Sequence, residues 1–379
     1  MIIHIDRSRL VARQDCPQLR YWNYHYKGKG LQPRIAAPAL GYGIALHAGF
    51  ARILQGFPPG IVVDEVAWGF GTELHKQYLA AGMSAADATF FACEQSWLMA
   101  GQLLGWAKYR LPHILDEYDV VSIEDEFVIP FDDARQLVAM LRLDAMLRRK
   151  VDGLHFILDF KSLSNVSTDW MVHHERSVQT MFYTLALERL LDEYVGGILY
   201  EGLVKGYSRI ETAASSPWKG KLLQQSPICY GWGNGFEVRP GYTATKGYKK
   251  VALFEQPNLD ILAYMELHGL DKELFVSIPP VKPTPQELER FRRSTLLAET
   301  RFAQKVAMTE AAMERDPEVG KAVMELEFER SLERCWKYGT RNGCPFVHLC
   351  HQGMDPDEND LFVAREPHHS SENHNGEEE

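Results

Sequence analysis

No hydrophobic run in this chain approaches the roughly 20 residues that a membrane helix requires, and the opening MIIHIDRSRL lacks the apolar segment of a secretory signal. The expected location is therefore the cytoplasm, with no membrane partner. A GxxxxGK[S/T] loop is also missing, so no nucleotide-driven motor is built in. Positive charge is scarce as well: 41 Lys and Arg face 51 Asp and Glu, a net charge of −10. The sum hides its distribution, because from His351 to Glu379 nine carboxylates stand against Arg365 alone. The rest is close to neutral and can carry a basic groove. No internal repeat occurs.

What is present is a globular composition, 45% hydrophobic over 379 residues, ample for a packed core. The stretch LRLDAMLRRKVDGLHFILDFKS, Leu141–Ser162, stands out. Asp144 ends one apolar alternation, and Asp159 and Lys161 lie on a second after a short polar connection, which predicts a β-hairpin. With a strand's period of two, Asp159 and Lys161 share one face while Phe156, Leu158 and Phe160 share the other. Two carboxylates and an ammonium on one sheet face are costly unless a cation or phosphate sits among them.

Around this hairpin the pattern reads as follows. Residues 41–54 have helical spacing and carry His47 near the predicted helix start; 73–115 reads as two or three helices; 120–131 reads as one strand, with Glu124 and Glu126 on the same parity. Residues 177–191 form an amphipathic helix on which Gln179 and Tyr183, four apart, share a face. A strand follows at 196–203. Strand, hairpin, helix, strand describes an α/β (α+β) core with helices on a mixed central sheet. Residues 207–254 read as an inserted flap, where Lys219, Lys221, Lys246, Lys249 and Lys250 interleave with Trp218, Tyr230, Trp232 and Tyr248, a combination suited to tracking a nucleic-acid strand. Pro279–Pro285 reads as a linker before two charged helices, and 366–379 as a disordered acidic tail with His368, His369 and His374 solvated. The body, 1–365, reads as a single domain.

Three of six cysteines, Cys335, Cys344 and Cys350, fall within sixteen residues. Disulfides do not suit a cytosolic chain, so a thiolate metal site is the natural reading. Cys16, in a Cys-Pro turn like that of Cys344-Pro345, is the expected fourth ligand, so that 1–31 and 333–352 form one staple. Tetrahedral sulfur ligation fits an iron–sulfur cluster or zinc.

Taken in order, Cys16, Gly43-x-x-x-His47, Glu126, Asp144, Asp159-Phe160-Lys161, Gln179-x-x-x-Tyr183 and the Cys335–Cys344–Cys350 triplet make a set. It resembles the PD-(D/E)XK nuclease superfamily, in its RecB-like branch with a cysteine-ligated iron–sulfur cluster, which includes CRISPR-associated spacer-acquisition nucleases and phage exonucleases. Two features depart from that pattern: Arg142-Leu143 precedes Asp144 where the proline would stand, and the first cysteine interval is longer than in many relatives. A second Gly-x-x-x-His, Gly71 to His75, competes with His47.

The resemblance implies a restriction-endonuclease-like fold and a Mg²⁺- or Mn²⁺-dependent deoxyribonuclease, an exonuclease on single strands or duplex ends in recombination, repair, replication or phage and CRISPR processing. It implies metal ligation by His47, Asp144, Asp159 and the Phe160 carbonyl, water activation by Lys161, and backbone or water contacts from Gln179 and Tyr183. Glu126 would lie behind the ligands, Lys246, Lys249, Lys250 and Trp232 on the DNA, and the cluster would be of the 4Fe–4S type, with zinc as the alternative. The implied partners are DNA and a helicase or recombination subunit; a phage-encoded chain would work in the host cytoplasm. Two other readings fit the same residues: a non-catalytic DNA-binding subunit of a recombination complex, and a zinc-stapled protein-interaction module.

Overall fold

The computed structural model describes residues 3–34, 38–134, 136–163, 168–204, 208–211, 222–225, 275–336, 344–357, 360–367 and 369. Lys246, Lys249, Lys250 and Trp232, expected on the flap, lie outside them.

Two sheets carry the site. The five-stranded sheet has the order β11 (Phe275–Val281), β8 (Gly197–Val204), β7 (His155–Leu163), β6 (Ala145–Arg149), β3 (Tyr118–Ile123). Only β7 and β8 run parallel, joined by a crossover through α8 (Thr168–Glu175) and α9 (Val178–Leu191). The three-stranded sheet is β1 (Ile3–Ile5), β5 (Leu137–Arg142), β4 (Glu126–Pro130). This mixed sheet with flanking helices is consistent with the restriction-endonuclease-like fold class.

The hairpin reading holds for β6 and β7, which pair antiparallel from Ala145 opposite Leu158 to Arg148 opposite His155. The period-two alternation of β7 sorts its side chains between two cores. Phe156, Leu158 and Phe160 pack under α3 (Pro38–Leu54) and α6 (Ala85–Tyr109), where Phe160 stacks on Phe50 at 4.3 Å between ring centroids and meets Trp106 edge-on at 5.1 Å. Ile157 faces the other core with Ile198, Tyr200 and Phe182 of α9. Burying a ring such as Phe160 contributes about 2 kcal/mol and pins the strand on which its two neighbours are mounted.

Two expectations need correction. The segment read as one strand over 120–131 is two strands in different sheets, broken at Glu124-Asp125, where Glu124 takes a left-handed φ of 55°. Pro279 and Pro280, read as linker, lie inside edge strand β11 instead; the register slips between Ile278 and Val281, and an edge with a bulge tolerates the missing N–H groups.

The distant segments meet. Strand β2 (Leu31–Pro33) pairs antiparallel with β12 (Phe362–Ala364). A third core brings Cys16 and Trp22 of the N-terminal region against Phe302, Phe328, Cys344 and Leu349. It is closed by α2 (Pro17–Tyr24) and the pair α10 (Pro285–Arg315) and α11 (Pro317–Glu327), while α1 (Arg7–Asp15) ends against it at Cys16.

Candidate functional site

The site is built where the chain changes sheets twice, side by side. Leu143-Asp144 links β5 to β6, and Glu124-Asp125 links β3 to β4. The two breaks bind each other: the Glu124 N–H donates to the Asp144 carbonyl and the Leu143 N–H to the Asp125 carbonyl, each at 3.2 Å. Neither pair continues a ladder, and the Glu124 and Asp144 carboxylates come together while Leu143 is buried in the core.

Asp144 accepts from the Phe160 backbone N–H at 2.8 Å through Oδ2 and faces His47 Nδ1 at 3.1 Å through Oδ1. His47 lies in the middle of α3, not near its start. On β7, Asp159 is buried at 3% exposure, receives the Gln179 side-chain amide on one oxygen and pairs with Lys161 on the other. Gln179, one residue inside α9, is itself buried, and Ser177 caps that helix by accepting from the Thr180 N–H at 3.1 Å.

These groups line one cavity of about 180 Å³ together with Tyr183, Arg142, Asp6, Arg7, Ser8 and His369. A larger cavity of about 740 Å³, beside Cys350 and the α10–α11 pair, contains none of the acid–lysine set.

The electrostatics divide the two aspartates. Burial pushes Asp144 up, but the hydrogen bond and charge of His47, with Lys161 and the Phe160 amide, reverse this and hold it below the ordinary carboxylate range. Burial raises Asp159 and the charge of Asp144 adds to it, against the opposing Lys161. Desolvation opposes the His47 imidazolium, yet the hydrogen bond to Asp144 and the charges of Asp144 and Asp159 together outweigh it and lift the histidine pKa. Glu124 is raised by burial and then by Asp144, with Arg142 opposing from 3.2 Å.

Among the described residues, His47, Glu124 and Asp144 are the set that brings three donor atoms within 4.8 Å of one another. Glu124 was not anticipated as a site residue. Glu126, the expected supporting acid, is outside that set and lies 3.8 Å from His369. His369, read as part of a solvated tail, is buried at 6% exposure and lines the cavity. The competing His75 is elsewhere, its Nε2 3.2 Å from the Thr89 hydroxyl.

The four selected cysteines also converge. Cys335 is raised by burial and by Cys16; Cys344, up to about 11, by burial and by Cys335 and Cys16; Cys350, up to about 12, by burial and by all three others. Cys93 sits apart in the core under α3 and α6.

A family model described as the PD-(D/E)XK nuclease superfamily matches residues 7–351. No curated protein matches the chain.

Proposed function

The chain belongs to the PD-(D/E)XK nuclease superfamily, and from that premise we propose that the cavity around Asp144, Asp159 and Lys161 hydrolyses phosphodiester bonds of DNA. The observation that carries this reading is the meeting, in one polar cavity, of Asp144 from the sheet break with Asp159 and Lys161 from β7.

Nucleases of this superfamily use divalent metal ions, and the donor set fits one: an imidazole and carboxylates whose atoms converge within 4.8 Å suit Mg²⁺ or Mn²⁺. His47, Glu124, Asp144, Asp159 and the Phe160 carbonyl are the residues that would hold it. Bound there, the ion supplies neutralisation of phosphate charge and acidifies a water. Lys161, fixed by its ion pair to Asp159, orients the attacking water and stabilises negative charge on the phosphorus centre. The water oxygen forms the new P–O bond, the bond to the leaving oxygen breaks, and that oxygen takes up a proton. Gln179 holds Asp159 in place; the Tyr183 hydroxyl lines the same space and meets the DNA backbone.

The finer reading is an exonuclease acting on single strands or duplex ends. A space of about 180 Å³ walled by six separate parts of the chain suits one threaded strand better than a continuous duplex. Cys16, Cys335, Cys344 and Cys350 hold an iron–sulfur cluster as a staple. Zinc is the alternative metal for the same four sulfurs.

Anaerobically purified protein incubated with end-labelled single- and double-stranded DNA should cleave with Mg²⁺ or Mn²⁺ and not with EDTA, releasing nucleotides from linear DNA while sparing closed circles. Asp159→Ala and Lys161→Ala should each lower the rate by on the order of 100-fold or more with unchanged thermal unfolding. Full activity in either variant would remove the site assignment, and an unsubstituted protein inert with both ions would leave only a DNA-binding role.

A further inference from the structure

The cavity is rich in negative charge, and its positive groups are already committed: Lys161 pairs with Asp159, and Arg142 with Glu124 at 3.2 Å. A polyanionic strand must nevertheless enter it. Arg7 is the exception. It lines the cavity, is exposed, and among the described residues pairs with no carboxylate. Its charge acts on Tyr183, which also lines the cavity, and on Tyr200 and His174, so the guanidinium is within electrostatic reach of the site.

The backbone beneath Arg7 is rigid. Asp6, immediately before it, is buried at 2% exposure, accepts from the Arg9 N–H at 2.7 Å and pairs with the Arg9 guanidinium at 3.2 Å. Further along α1, Arg13 is anchored to the buried Glu299 at 2.8 Å. Cys16 ends the helix and places its far end among the converging thiols. A helix held at both ends presents its first side chain with little ordering left to do on binding.

We propose that Arg7 forms a phosphate subsite at the mouth of the cavity, gripping a non-scissile phosphate of the strand whose neighbouring linkage lies at Asp144 and Asp159. This rests on the nuclease reading above. A guanidinium fork can hold two oxygens of one phosphodiester, and a phosphate contact fixes register without reading sequence. Arg7 therefore positions substrate and takes no part in bond breaking.

The test uses the full chain with Arg7→Ala and Arg7→Lys. Binding of a fluorescein-labelled single strand is followed in EDTA across a KCl series, and cleavage kinetics are measured with Mn²⁺. Arg7→Ala should raise KM about tenfold, with kcat within about twofold, as loss of a contact made equally in ground and transition states does. The slope of log affinity against log salt should become shallower by about 0.7, one single-strand phosphate contact. Arg7→Lys should keep the slope and recover part of the affinity. Unaltered affinity and slope in Arg7→Ala, or a fall in kcat at constant KM, would overturn the proposal while cleavage by the unsubstituted chain stood. An inert unsubstituted chain would sink the nuclease reading and leave the binding comparison intact.

Discussion

Glu124 and Glu126 are two positions apart, and one continuous strand would turn both the same way. The left-handed turn at Glu124 separates them, sending Glu124 to the Asp144–His47 group and Glu126 to the opposite sheet beside His369. Glu124→Gln should therefore lower cleavage by about tenfold or more and raise the Mn²⁺ concentration giving half activity, whereas Glu126→Gln should change both by less than about twofold. A Mn²⁺ titration of the two purified variants checks this, and equal effects would mean that the turn does not sort the acids as described. Nothing in the local pattern marks the break, because Val120 to Phe131 alternates without a glycine or an internal proline until Pro130. Asp159, Lys161 and Gln179 were legible because each sits on a strongly periodic element, and Asp144 because it stands directly between two such runs. Arg7 and His369 were not, since they reach the cavity only through long-range packing.

His174 carries a pH effect of its own. It is 7% exposed and stacks on Tyr200 at 4.3 Å; desolvation, then the charges of Lys161, His173 and Arg7, lower its pKa from 6.5 to about 4. The folded pKa lies below the unfolded one, so the unfolded chain takes up the proton first as the pH falls. The contribution to stability is complete above about pH 6.5 and is lost progressively toward pH 4, about 3 kcal/mol in all. His25, lowered by burial and by Arg20, acts in the same direction. Denaturant unfolding at pH 7.0 and 5.0 should show the acid loss in the parent chain and a smaller one in His174→Leu; an identical loss in both would assign the effect elsewhere.

At the scale of elements, the α9 crossover and the β6–β7 hairpin fix the site by their tight entry points. Gly196 precedes β8, and a Cβ there would stand about 2.0 Å from the Phe156 ring, a ring that supports the same strand as Asp159. Gly196→Ala should cost about 1–3 kcal/mol through overpacking, read as a lowered unfolding midpoint. Since Phe156 is on the opposite face of β7 from Asp159, residual activity per folded molecule should stay near that of the parent. The helices and β6 to β8 were readable from periodicity because each buries one face or two. What the pattern could not supply was sheet membership: β5 and β6 are nearly continuous in sequence yet belong to different sheets, a distinction made by packing and not by local preference.

For the whole molecule, the question is what holds the first and last segments together. Strands β2 and β12 have three residues each, and such a pair is marginal alone. The buried Arg20–Glu299 pair and the aromatic contacts of Tyr21 with Phe328 add packing, but four largely buried thiols at the same place are a weak staple unless they ligate something. With burial holding Cys344 and Cys350 far above neutral as free thiols, only a strongly bound metal would draw them out as thiolates. Cys16→Ser in anaerobically prepared protein should therefore abolish broad absorbance near about 400 nm, lower bound iron to background, and make the N-terminal region more sensitive to limited proteolysis. Because α1 ends at Cys16 and begins at the cavity, the same variant should also weaken DNA binding, and by more in the parent than in an Arg7→Ala background. Zinc in place of iron in the parent protein would replace the cluster with the alternative metal. Full additivity of the two substitutions would show that the staple and the mouth of the site act independently.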